Sequence, residues 1–199
     1  MKTSAKRRPP RALSMILSLN ASIKKIIANI ELKRYFFLAP FFFISLQAQE
    51  PNIMILDAIY ANDSYLFHHA QDQTMCTPYG VWTIERALRR SDIGSVCKKA
   101  LNEFLLHNPK LRYFSSYKMH VEQGYRIALR NGECIIYLGS KQTLSEALLQ
   151  AGVAIEQPGF SDEEFRYRFY QALRAAKINK RGIWSDAKMR SCMSEFFKE

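Results

Sequence analysis

Acidic residues are nearly missing from the start of this 199-residue chain. Of 18, only Glu31 lies in the first 48 positions, which hold nine of the 29 basic residues. The formal net charge of +11 is concentrated there, and positions 49–199, with 20 basic and 17 acidic residues, carry only +3. A surplus that small gives no strong general attraction to nucleic acid, so binding would need a local patch. Also lacking is an apolar run long enough to cross a bilayer. Tyr35–Leu46 spans about 12 residues where about 20 are needed. Lys33-Arg34 precedes this run and Gln47-Ala48-Gln49-Glu50 follows it, the order of a signal peptide cleaved after Ala48. No cysteine follows that junction to carry a lipid, so membrane contact is expected through the signal peptide alone. The stretch before Lys33 is long for such a leader, and translation from Leu32 would leave a compact one. The expected location is periplasmic or secreted, by a bacterial export route.

Internal repeats and low-complexity linkers are missing too. The chain reads as a leader over 1–48 and one domain over 49–199, expected to be a monomer. Hydrophobic residues make up 48%, enough for a packed core and too many for a disordered chain. Cysteines are few but even in number: Cys76, Cys97, Cys134 and Cys192. None forms a Cys-x-x-Cys pair, which argues against a structural zinc site. In an exported chain they predict at least one disulfide, with three pairings open.

Three strand-like segments come first: Ile53–Ala61, Tyr65–His69 and Met75–Thr83. The turn signals Ala61-Asn62-Asp63-Ser64 and Gln71-Asp72-Gln73 separate them. Asp92-Ile93-Gly94-Ser95 then offers a helix cap, with Val96, Ala100, Leu101, Phe104 and Leu105 on one face and Asn108-Pro109 as the stop. Lys110–Ser116 and Lys118–Glu122 read as strand. Tyr125–Leu129 and Glu133–Leu138 read as a hairpin around Asn131-Gly132. Thr143-Leu144-Ser145-Glu146 opens a second helix that Gly152 ends. Ser161-Asp162-Glu163-Glu164 is a capping-box pattern for a third, which presents Phe165, Phe169, Leu173 and Ala176. Strands followed by helices predict an α+β domain: a small five-stranded OB-type β-barrel with about three packed helices, preceded by the signal peptide.

Several segments, in order, resemble one family. Ala61-Asn62-Asp63-Ser64-Tyr65 looks like a Gly-Asp-Thr-Val turn, and Tyr79-Gly80-Val81-Trp82-Thr83-Ile84-Glu85 like Tyr-Gly-Ile-Asp-Ala-Pro-Glu. Leu144–Ala154 is close to Val-Asn-Glu-Ala-Leu-Val-x-x-Gly-Leu-Ala, and Arg174-Ala175-Ala176-Lys177 and Arg181-Gly182-Ile183-Trp184 match a closing helix and tail. The chain thus resembles the thermonuclease-like, or staphylococcal-nuclease-like, family over roughly Ile53 to Trp184. The family hydrolyses phosphodiesters of DNA and RNA with calcium, two arginines and a glutamate base. The resemblance implies Glu85 as general base, Asp63 as a calcium ligand and Thr83 as the source of a ligating backbone carbonyl. It offers Arg126 and Arg130 as alternatives for one phosphate-binding arginine.

The pattern is broken at two places. Thr77 stands for the other arginine and lacks its bidentate fork. Trp82 stands for the second calcium-binding aspartate, and an indole offers no hard oxygen. Histidines do not repair the loss, since adjacent His68 and His69 point to opposite faces of a strand. Asp72 is a nearby carboxylate from which a metal site could be rebuilt. Arg86, Arg89 and Arg90 form a basic cluster that either meets phosphates or is a solvated face. Two functions are therefore expected to compete. One is an exported nuclease-like domain that acts on or binds DNA or RNA, with hydrolysis weakened and its Ca2+ site incomplete. The other is a catalytically inactive module that binds protein or nucleic acid in the cell envelope.

Overall fold

The computed structural model describes residues 52–195. The signal-peptide reading, the Ala48 junction and the start at Leu32 lie outside the described residues. Seven strands and seven helices follow in order among the described residues. They are β1 (Asn52–Ala61), β2 (Ser64–His69), β3 (Asp72–Cys76), β4 (Val81–Thr83), α1 (Ile84–Arg89), α2 (Ser95–His107), α3 (Pro109–Arg112) and α4 (Phe114–Lys118). Then come β5 (Gly124–Arg130), β6 (Glu133–Tyr137), α5 (Leu144–Ala151), β7 (Ala154–Glu156), α6 (Glu163–Ile178), a 3-10 turn (Gly182–Ser185) and α7 (Ala187–Glu195). The domain is α+β as expected, and no helix among the described residues is long and apolar enough to cross a membrane.

Five strands form one antiparallel sheet in the order β3-β2-β1-β5-β6, and β4 pairs with β7 apart from it. Alternation sets the inner face: Met54 and Leu56 on β1, Tyr65 and Phe67 on β2, Tyr125 and Ile127 on β5 are all buried. Asn131 and Gly132, both at positive φ, make the two-residue turn between β5 and β6. The hydrogen-bonded ladder does not close along its length. Its two edges meet at one point, where Pro78 and Cys134 form a parallel bridge just after β3. Cys134 N donates to Thr77 O at 2.8 Å, and Tyr79 N donates to Cys134 O at 3.0 Å. The disulfide Cys76–Cys134 joins the same two edges. Thr77 thus serves the sheet through its backbone.

Helices cover the sheet in short pieces. The face of α2 is Cys97, Ala100, Leu101 and Leu105, whereas Val96 is 72% exposed. The expected apolar face is rotated because Cys97 must reach Cys192 of α7 for the second disulfide. No side chain caps α2, because Asp92 pairs with Arg90 instead. On α5 the capping box of Thr143 and Glu146 is formed, and Gly152 ends the helix in the left-handed conformation. A Cβ on Gly152 would lie 2.2 Å from Arg181 O, so the glycine also lets the 3-10 turn dock. The cap of α6 is Asp162, and Phe165, Phe169 and Ala176 face inward.

One element differs in kind from the sequence expectation. Lys110–Ser116 is not strand but the two helices α3 and α4, and 118–122 runs from the end of α4 into a turn rather than a strand. Pro109 at the first helical position favours that start. Helices of four and five residues have no sequence period to read, and their unpaired backbone groups need outside partners.

The edge-joining disulfide carries a stability expectation. A Cys76→Ala, Cys134→Ala double variant should lose about 2–5 kcal/mol of unfolding free energy, measured by urea titration. An unchanged midpoint would mean the bridge at Pro78 holds the edges without the covalent link.

Candidate functional site

The β1–β2 turn brings two of the expected site residues together. Asp63 is 1% exposed at this turn, and Glu85 comes up to it from the first turn of α1. Between them sits Asn62, which is fully buried. Its Nδ2 lies 2.8 Å from Glu85 Oε1, 2.9 Å from Leu111 O and 3.0 Å from Arg112 O, so its two hydrogens are shared among three acceptors. Its Oδ1 accepts from Ser115 N at 3.0 Å and Ser115 Oγ at 3.1 Å. Tyr65 Oη donates to Asn62 O and is 2.7 Å from Ser115 Oγ. Burial pushes the Tyr65 hydroxyl well above its ordinary range.

This cluster explains α3 and α4. The Asn62 amide takes the last carbonyls of α3 and the second N–H of α4, the groups that short helices leave unpaired. It also holds Glu85. Burial raises the Glu85 carboxyl above its ordinary value of 4.5, and the Asp63 charge adds to the rise. Its Oε2 is buried without a hydrogen-bond partner among the described residues.

Asp63 is ion-paired with Arg89 of α1. Glu85 and Arg89 are four residues apart, so they share one face of α1, and both reach the same turn. Arg86 pairs with Glu133 at 2.9 Å, and Arg90 pairs with Asp92. The basic cluster is therefore tied to carboxylates. Thr83, 1% exposed, is the cap of α1, with its Oγ1 accepting from Arg86 N at 3.2 Å and its carbonyl turned into the first helical turn. Trp82 is half-buried on β4, its indole N–H has no hydrogen-bond partner among the described residues, and the Arg90 guanidinium lies 4.0 Å from its ring centroid.

The remaining expected residues are elsewhere. Among the described residues neither Arg126 nor Arg130 contacts Asp63 or Glu85. Arg126 is exposed on β5 over the Tyr137 ring. Arg130 is ion-paired with Asp162 and Glu164. Asp162 also accepts from Tyr79 Oη at 2.8 Å. Burial and this bond push the Tyr79 hydroxyl up to about 12. Asp72 opens β3 opposite His69, at the far end of β2 and roughly 20 Å from Asp63. His68 is 2.5 Å from Asp57 Oδ1, and His69 Nδ1 is 3.1 Å from Ile53 O.

The donor set does not fit calcium, which takes six to eight oxygens. Asp63 is bound by a guanidinium, Trp82 offers none, and no group of three His, Cys, Asp or Glu suited to a metal exists among the described residues. A different feature lies behind α3. A groove of about 360 Å³ runs between α4, α5 and the 3-10 turn, floored by Leu111, Phe114 and Ala147. Gln142, Gln150, Lys118 and Arg181 rim it, and none of its lining residues is acidic. Lys118 and Arg181 form no ion pair among the described residues. No family model matches the chain, and no curated protein matches it.

Sequence reasoning named Asp63 and Glu85, and Arg89 only as one of a basic cluster; it did not single out Asn62 or Ser115 as buried partners. The turn signal at Asn62 carries no mark of burial. The Glu85–Arg89 spacing becomes informative only once α1 is known to begin at Ile84.

Two outcomes are expected. Asn62→Ala should destabilise the protein by about 2–4 kcal/mol, since it orphans buried backbone groups at once; thermal and urea unfolding measure it. The raised Glu85 carboxyl favours the folded state below the ordinary glutamate range, and that contribution is lost as pH rises through the raised value. Glu85→Gln should therefore show a smaller fall in stability from about pH 4 to 7 than the wild type. Parallel curves for the two proteins would contradict the assignment.

Proposed function

We propose that this protein is an exported domain of staphylococcal-nuclease-like type that binds single-stranded nucleic acid and has lost calcium-dependent hydrolysis. The observation that carries the reading is the meeting of Asp63 and Glu85, 22 residues apart in sequence, at one buried turn of a five-stranded sheet. The strand connectivity supports it: a three-strand meander, β1 against β5, a hairpin to β6, and a parallel join from the end of β3 to β6 are what an OB-type barrel requires. The two disulfides fit an oxidising compartment and so support export.

Binding rather than hydrolysis is favoured by where the charges are. Cations beside Glu85 are tied to Asp63, Glu133 and Asp92. The groove at Phe114 offers two cations, two amides and an aromatic ring without a competing carboxylate. Phosphates suit the cations, base edges suit the amides, and a base stacks on the ring. The neighbouring face of α4 adds exposed Tyr113 and Tyr117.

Fluorescence anisotropy with a short single-stranded thymidine oligomer tests this. The protein should bind it and leave it intact with or without calcium. A Lys118→Ala, Arg181→Ala variant should bind at least about tenfold more weakly and lower the salt slope by about 1.4, two phosphate contacts at about 0.7 each. Calcium-dependent cleavage that Glu85→Gln abolishes would instead make this an enzyme.

A further inference from the structure

The Asp63 side chain is 2% exposed, while the Arg89 side chain that pairs with it is 60% exposed. A buried carboxylate is costly unless a cation compensates it. Here the cation is delivered by the chain, on a helix whose preceding turn carries Glu85 to the same place. A guanidinium has five N–H donors in a planar fork. Asp63 engages one of its nitrogens, and the exposed remainder faces solvent at the mouth of the turn. Arg86 and Arg90 differ in this respect. Their carboxylate partners lie outside the turn, and their side chains are only 34% and 30% exposed.

We infer that Arg89 is the resident cation of this site: it takes the electrostatic place of a divalent metal at Asp63 and presents its outer N–H groups to a phosphate oxyanion. The site then recognises phosphate without any metal. Arginine suits the task, because its fork matches phosphate geometry and its charge never titrates in the working range. That a metal would otherwise stand at Asp63, and what the site meets, rest on the reading above; the Arg89–Asp63 pair and its exposed N–H groups are read from the geometry alone.

The test uses the whole purified protein. Thermal unfolding is followed in calcium and in EDTA for wild type, Arg89→Ala, and Arg89→Ala with Asp63→Asn. Calcium should leave the wild-type midpoint unchanged. Arg89→Ala should lower the midpoint, and adding Asp63→Asn should recover much of that loss. In parallel, the Arg89 Nε–H resonance of 15N-labelled protein is titrated with inorganic phosphate in EDTA, where a saturable shift is expected. Calcium stabilisation of the wild type would overturn the inference. So would no loss in Arg89→Ala, or an Arg89 resonance blind to phosphate. Arg89→Lys keeps the charge without the fork and should keep most of the stability that Arg89→Ala loses. If oligonucleotide binding fails while the Arg89 resonance responds to phosphate, the nucleic-acid reading falls and this inference stands. The reverse pattern overturns this inference alone.

Discussion

The Asn62 side chain is the constraint on which the helical half of the domain depends. One buried amide joins the β1–β2 turn to α1 through Glu85, to the end of α3 through Leu111 and Arg112, and to α4 through Ser115. Its partners are nearly all groups that burial would otherwise leave unpaired. Apolar substitution there removes the bonds without removing the buried donors and acceptors. The sheet holds itself by its ladders and by the joint at Cys76, Pro78 and Cys134. What it does not supply is a reason for α3 and α4 to be helical. Asn62 supplies that.

Seen this way, the two carboxylates divide their roles. Glu85 is drawn in by Asn62 and kept in a dry place, which raises its affinity for a proton. Asp63 is compensated by Arg89. Both residues are engaged by the protein itself. The cost of burying them is offset by internal partners rather than by an ion. That is the physical ground for reading binding in preference to calcium-dependent hydrolysis.

Much of the fold was legible. Strand-like runs between turn signals gave β1 and β2, the Asn131-Gly132 pair gave the β5–β6 hairpin, and the Thr143–Glu146 box gave the start of α5. The same logic failed over 110–116. There short helices leave no period to read, and their end groups are satisfied by an asparagine about fifty positions earlier in the chain. The site was half legible for the same reason. Asp63 and Glu85 were named through the resemblance, but the pairing of Asp63 with Arg89 depends on a helix boundary that local sequence does not mark. Arg126 and Arg130 were offered by the resemblance, and the structure places them against Tyr137 and Asp162.

Amide hydrogen exchange at Ser115 tests the central role of Asn62 most directly. The Ser115 N–H sits near the start of a five-residue helix, where an ordinary helix end frays and exchanges fast. Bonded to buried Asn62 Oδ1 at 3.0 Å, it should exchange only when the whole domain unfolds. Exchange at the rate of the neighbouring loop amides would show that α4 opens on its own, and that Asn62 does not hold the two halves together.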